Sequence, residues 1–192
     1  MKIKINNIAT IQAGYLFRGR VEPDPEGTHQ VVQIKDVKDP DCFTAENLDK
    51  VTPERSVDRY IVNKGDVLFV AKGSRNFAVA ITESVESTIT SSNFFILKLN
   101  KENVLPEYLA WQINQPSTQK YLIHVLRRGT RTPLIDRSGF EKMTIDVPSL
   151  EIQSKIIQLH LLQKEEVNLL KKIAHKKQSL IHAVGQKLAK RE

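Results

Sequence analysis

The chain has 192 residues, 40% hydrophobic and 27% charged, with one cysteine and a formal net charge of +7. That length buries a core without disulfide staples, and that composition is globular rather than disordered. A single cysteine, Cys42, excludes an internal disulfide framework and a Cys-rich zinc site, and it points to a reducing, cytoplasmic setting. No run of 18 apolar residues is present, so no membrane-spanning helix is expected, and the Met1–Asn7 segment lacks the apolar stretch of a signal peptide.

The basic balance favours nucleic acid or an acidic partner, but its location matters. Residues 149–192 hold nine Lys/Arg against four Asp/Glu, and residues 1–148 hold twenty against eighteen. A polyanion site in the body must therefore come from local clusters rather than bulk charge.

In chain order, the spacing predicts a helix over Asn6–Ala13 and a strand over Gln30–Val37. Asn63-Lys64-Gly65-Asp66 reads as a turn into a strand over Asp66–Val70. Further strands are predicted at Ala78–Thr82, Asn93–Lys98 and Met143–Val147. Helices are predicted from Pro106 to Asn114, with proline in the first turn, and over Gln115–Leu126. All eight prolines lie at or before Pro148, and only Gly185 interrupts the Leu, Ile, Lys, Glu and Gln pattern that follows. Residues 150–190 thus read as one helix about 60 Å long, with Ser149 and Glu151 suited to its unpaired first N–H groups. The expectation is an α+β chain: a strand-rich domain, residues 1–148, then a helical element, residues 149–192.

Steps of four and three along the tail give Ile152, Ile156, Leu159, Gln163, Glu166, Leu170, Ile173, Lys177, Leu180 and Val184, of which seven are apolar. Such a stripe is a coiled-coil seam, and its polar breaks suit an antiparallel pair better than a regular parallel dimer. The alternative is a helix packed on its own body. A body of 148 residues is only about 30 Å across, which leaves half of a 60 Å helix in need of another partner. Interface positions are therefore expected at Ile156, Leu159, Leu170, Ile173, Leu180 and Val184. Lys171, Lys172, Lys176 and Lys177 form either a solvated face or a face for phosphates or acidic groups.

Catalytic patterns are weak. Asp24, Asp36 and Lys38 fit loosely the two carboxylates and lysine of a Mg²⁺-dependent nuclease, although Asp24 lies in a proline-rich loop. Ser91-Ser92-Asn93-Phe94-Phe95 lacks the proline pair of an amino-methyltransferase loop and fits a buried strand. Ala71-Lys72-Gly73-Ser74 lacks the upstream glycine of a phosphate loop. His175 and His182 share a helical face, without a carboxylate to complete a metal site. A non-catalytic chain is expected.

Three turn-like clusters remain: Gly14-Tyr15-Leu16-Phe17-Arg18-Gly19-Arg20, Lys72-Gly73-Ser74-Arg75-Asn76 and Arg127-Arg128-Gly129-Thr130-Arg131-Thr132. Each combines cations, small polar groups and glycine. Arginine grips phosphate or a guanine edge bidentately, asparagine does the same for adenine, and glycine permits close backbone approach. The candidate DNA-binding residues are Arg18, Arg20, Lys72, Ser74, Arg75, Asn76, Arg127, Arg128, Thr130, Arg131 and Thr132.

With these residues in view, the sequence resembles the DNA-specificity subunits of type I restriction-modification systems. The opening Ile8-Ala9-Thr10-Ile11-Gln12-Ala13-Gly14-Tyr15-Leu16-Phe17-Arg18-Gly19 resembles the family's segment ending in Gly-x-x-Phe-x-Gly. Gln33-Ile34-Lys35-Asp36-Val37, Gly65-Asp66-Val67-Leu68-Phe69 and Leu105-Pro106-Glu107-Tyr108-Leu109-Ala110-Trp111 follow in the family's order. Val147-Pro148-Ser149-Leu150-Glu151-Ile152-Gln153 resembles its Pro-Pro-Leu-x-x-Gln signature, with Ser149 for the second proline and Ile152 for the usual acid. The usual member carries two recognition domains and two helices, whereas this sequence carries one of each. The resemblance implies a non-catalytic specificity subunit, either a natural half-subunit or a truncated copy, that pairs through its helix as a homodimer on double-stranded DNA, the alternative being a stand-alone DNA-binding dimer without a methyltransferase partner. It implies a separate DNA adenine methyltransferase subunit and a restriction-translocase subunit. S-adenosylmethionine, ATP and Mg²⁺ would belong to those partners and none to this chain.

Overall fold

The structure, a computed structural model, describes residues 1–37, 40, 43–128 and 134–190. Met1–Gln153 and Ser154–Glu192 form two compact units. The chain runs β1 (Lys2–Lys4), β2 (Ala9–Ala13), β3 (His29–Val32), β4 (Asp49–Val51), β5 (Val67–Val70), β6 (Ala78–Ala80), β7 (Thr88–Thr90) and β8 (Phe94–Leu99). It continues through α1 (Pro106–Ile113), α2 (Pro116–Tyr121), a π-turn (Leu122–Leu126), β9 (Arg127–Arg128), β10 (Leu134–Ile135), α3 (Arg137–Lys142), β11 (Thr144–Asp146) and α4 (Leu150–Ala189). The class is α+β, a strand-rich body and one long C-terminal helix.

The centre of the body is an antiparallel sheet in the order β2-β8-β5-β6. Successive strand residues point to opposite faces, so an uninterrupted apolar run requires both faces to be covered. Val67, Phe69, Phe95 and Leu97 face one core, with Leu109, Ile113 and Phe140 from the helices. Leu68, Val70, Phe94 and Ile96 face a second core, with Val32 from β3 and Val37, Phe43 and Val62 from the intervening loops. The runs Val67-Leu68-Phe69-Val70 and Phe94-Phe95-Ile96-Leu97 are legible in the sequence for this reason. A second sheet, β4-β3-β7, encloses a smaller cluster of Tyr15, Val31, Val51, Val57 and Ile89. The pair β1-β11 brings the N-terminus beside the strand that precedes α4.

The predicted helix over Asn6–Ala13 is overturned. Ile5–Asn7 is a 3-10 turn, and Ala9–Ala13 is strand β2, paired along its length with β8. Ile5, Ile8 and Ile11 recur every three residues, which imitates a helical stripe. The pairing partner, far away in sequence, decides instead, and Ala9 and Ile11 turn inward while Thr10 is exposed. The strand expected over Gln30–Val37 ends at Val32, where the Gln33 N–H donates to Asp36 Oδ2 at 2.8 Å in a capping box that curls Ile34–Asp36 into a 3-10 turn. The helix expected over Gln115–Leu126 is α2 followed by the π-turn. Strands β1, β4 and β7, too short to show a period, and α3 carry no sequence prediction.

Two buried polar groups hold the frame. Gln153, fully buried, accepts from the Leu105 N–H and donates to the Asn103 and Pro148 carbonyls, each at 2.9 Å. The signature glutamine thus fastens the first turn of α4 within the body. Asp66 closes the turn into β5, where Gly65 takes φ of +96°. Its Oδ2 accepts the Asn63 N–H at 2.9 Å and lies 4.0 Å from Lys98 Nζ.

Burial raises the Asp66 carboxyl above its usual 3.8, against the opposing Asn63 hydrogen bond and Lys98 charge. A raised folded-state pKa means that the native state binds more protons between the two values, so this group's contribution to stability falls as pH rises through them. Asp66→Asn retains an acceptor for Asn63. Its urea midpoint is expected to equal or exceed that of the wild type at pH 7, with the advantage vanishing near pH 4. A variant less stable at pH 7 and equal at pH 4 would reverse the assignment.

Candidate nucleic-acid interface

Two loops and a strand pair, far apart in sequence, meet at one end of the central sheet. The Gly14–Arg20 loop leaves β2, and its start is pinned by hydrogen bonds from Gly14 N–H to the Phe94 carbonyl, 3.0 Å, and from Tyr15 N–H to the Thr90 carbonyl, 2.7 Å. Lys72–Asn76 is the hairpin connection between β5 and β6. It is joined to the β9-β10 hairpin by the Lys72–Leu134 bridge and by the Ile135 N–H to the Ala71 carbonyl at 2.9 Å. A cleft of about 620 Å³ is lined by Gly14 and Leu16 of the first loop, Lys72 of the second and Leu134 of the strand pair.

A second cleft, about 1320 Å³, opens beside it between the first loop and residues 51–60. Arg18, Arg20, Arg55 and Arg59 line it, opposed by Glu22, Asp24, Glu54 and Asp58. Three of those acids are already engaged. Glu54 pairs with Arg18 at 3.6 Å, Asp24 accepts from Glu26 N–H and Thr52 Oγ1, and Asp58 accepts from Ser56 Oγ. Leu16, Arg59 and Tyr60 line both clefts and so form the wall between them. That wall is stiffened by rings: Tyr15 meets Phe17 at 4.7 Å and Tyr60 at 5.3 Å, both edge-on.

The candidate residues divide by environment. Arg18, Arg20 and Arg75 are exposed, and Lys72 is half-buried at the first cleft. Arg75 lines neither cleft but lies over the Phe77 ring, 5.7 Å from its centroid. Ser74 is exposed. Asn76 is a correction: it is buried, and its amide donates to the Val70 and Ala71 carbonyls, so it shapes the hairpin instead of facing a base. Arg127 and Arg128 form β9, while Thr130, Arg131 and Thr132 lie outside the described residues. Arg55 and Arg59 lie outside the glycine-bearing clusters, so the sequence does not mark them. Gln12 also lines the first cleft, and its Oε1 is buried with no hydrogen-bond partner among the described residues.

The nuclease reading loses its geometry. Asp24 caps its own loop, and Asp36 closes the capping box with Gln33. Lys38 lies outside the described residues.

The described residues define a class: an α+β chain with a strand-rich body and a long C-terminal helix. The family model for the type I restriction modification DNA specificity domain matches residues 1–174, and the chain belongs to that family. No curated protein sequence matches it significantly. Among solved structures it is similar in fold to the S subunit of a type I restriction-modification system from M. genitalium, at 14% identity and a TM-score of 0.57, covering 90% of this chain and 41% of that one. It is also similar to the HsdS subunit from Thermoanaerobacter tengcongensis, at 18% identity and a TM-score of 0.65, covering 90% and 44%. A chain from a structure on complex assembly and conformational transition of the type I R-M system matches at 16% identity and a TM-score of 0.61, covering 90% and 40%. This chain therefore spans less than half the length of each of these relatives.

Proposed function

We propose that the chain binds one defined half-site of duplex DNA and directs a separate DNA methyltransferase to it, with a restriction-translocase subunit as a further partner. The observation that carries this reading is the meeting of the Gly14–Arg20 loop and the Lys72–Asn76 connection, beside the β9-β10 pair, at one cleft in a chain of the specificity family. The recognition unit in this reading is residues 1–148, and residues 149–192 are the spacer and pairing helix. The chain performs no chemistry itself, and S-adenosylmethionine, ATP and Mg²⁺ act on the partner subunits.

A second copy supplies the second recognition domain. Leu159, Leu170, Ile173, Leu180 and Val184 are all exposed on α4, and Ile156 is half-buried. An antiparallel pair of such helices buries these residues against their symmetry mates. The two-fold axis then makes the target a bipartite palindrome with an unspecified spacer. Comparing DNA methylation in cells with and without the gene tests this directly. A methylated palindromic motif should disappear with the gene. No change would remove the methyltransferase role, and an asymmetric motif would replace the second copy by a different recognition domain.

Phosphate binding has its own signature. Replacing Arg18, Lys72 and Arg75 together with alanine should weaken binding to every duplex alike. The slope of log affinity against log salt should become shallower by roughly 0.9 for each phosphate that the variant no longer neutralises. An unchanged slope and affinity would place the DNA on another face.

A further inference from the structure

We infer that Arg59, on the wall between the two clefts, reads a guanine edge in the major groove, with Leu16 beside it packing on the neighbouring base. This inference rests on the DNA-binding reading above and assigns within it a residue that determines specificity.

The first observation is orientation. The Arg59 guanidinium lies 4.9 Å from the centroid of the Tyr60 ring, and its Nη2 donates to Tyr60 Oη at 2.7 Å. Tyr60 is itself fixed by the edge contact with Tyr15, which is 6% exposed and tied to the sheet through Thr90. A guanidinium has five N–H donors in a planar fork, and here one is used in holding the fork still. A fork held this way loses little rotamer freedom when it makes a bidentate contact.

The second observation is charge. Arg18 pairs with Glu54, and Arg137 pairs with Glu141 at 2.8 Å. Among the described residues no carboxylate lies within ion-pair distance of Arg59. It is an exposed cation that lines both clefts and is held against the Tyr60 ring.

The third observation is its neighbour. Leu16 is 74% exposed, at the tip of a loop otherwise anchored by Tyr15 and Phe17. An isobutyl group gains nothing from a phosphate, but it packs well on a base edge such as a thymine methyl. A rigid arginine and a protruding leucine on one wall, between clefts lined by the other cations, fit a rib that enters a groove while the clefts face the backbones. Bidentate donation to guanine O6 and N7 is the contact that such a fork makes best.

The test is selection from a random-sequence duplex library by the full-length chain. The wild type should recover a motif with an invariant guanine at one position. Arg59→Ala should recover the same motif with that position degenerate, discrimination there falling about ten- to a hundredfold, while Arg59→Lys, which still donates to guanine but without the planar fork, should fall between it and the wild type. The salt slope on a fixed duplex should stay unchanged. Arg59→Lys retains the charge, so it separates lost readout from lost folding, and its thermal midpoint should match the wild type. Recovery of the wild-type motif by both variants would overturn the assignment and leave the DNA reading standing. So would a uniform loss on all sequences by Arg59→Ala with a shallower salt slope and full activity in Arg59→Lys, the behaviour of a phosphate-binding cation. A wild-type chain that selects no motif would sink the DNA reading, and this inference with it.

Discussion

If the chain pairs through α4 as proposed, glutamate at both Leu170 and Ile173 is expected to leave it monomeric. The two residues are 57% and 50% exposed and lie three apart on one face of α4. Pairing would remove both from water. A carboxylate placed in that seam loses solvation without gaining a partner, which costs several kcal/mol for each charge, and two-fold symmetry doubles the number. Glutamate is a good helix former, so far-UV circular dichroism should change little while the sedimentation mass halves. Methylation of a bipartite site should be lost together with the dimer. A wild-type chain that already sediments as a monomer at micromolar concentration, alone and with the methyltransferase, would end the pairing model.

Gly14→Ala is expected to damage both stability and DNA binding. A Cβ at Gly14 would fall well inside contact distance of the Ser91 carbonyl oxygen and Thr90 Oγ1, and 2.7 Å from the Thr90 carbonyl oxygen. These are mainly backbone atoms in and beside β7, which cannot step aside without breaking the pairing of β7 with β3. The loop must lift instead, giving up the Gly14 and Tyr15 hydrogen bonds and tilting the Tyr15–Tyr60 ring pair that orients Arg59. Overpacking of this kind costs about 3 kcal/mol, a large share of the stability of an ordinary domain. Gly185→Ala provides the contrast. Among the described residues nothing lies within 4 Å of a Cβ there, and the position is helical, so it should gain up to about 1 kcal/mol. Urea unfolding of the two variants measures the difference. A Gly14→Ala protein with wild-type midpoint and affinity would show that the loop does not depend on its seat against β7.

The disruption at Gly14 illustrates how the candidate site is built from parts that the sequence shows only separately. Each glycine-and-cation cluster is visible by composition. The meeting of the first two beside the β9-β10 pair is not, because it depends on β5 lying between β8 and β6 and on the Lys72–Leu134 bridge, pairings that span from nine to sixty-two residues. Asn76 shows the cost of reading polarity alone: an amide that suits a base suits two backbone carbonyls as well, and burial chose the latter. Arg59 shows the reverse. Asp58-Arg59-Tyr60 has no distinctive local composition, and it matters because Tyr15, forty-five residues earlier, fixes the ring on which the guanidinium rests.

What the sequence by itself determined is what local physics and a long signal can carry. The α+β class, the apolar runs of β5 and β8, the proline-started α1 and the single long α4 all follow from patterning within short windows, and the family follows from ordered motifs. Tertiary structure alone decided that the segment carrying Ile5, Ile8 and Ile11 became a 3-10 turn followed by strand β2 and not one helix. Their spacing admits both, and only the ladder offered by β8 favours one. It also decided which side chains face the clefts, since a loop's polar atoms can satisfy either solvent or backbone, and long-range packing sets which of the two is within reach.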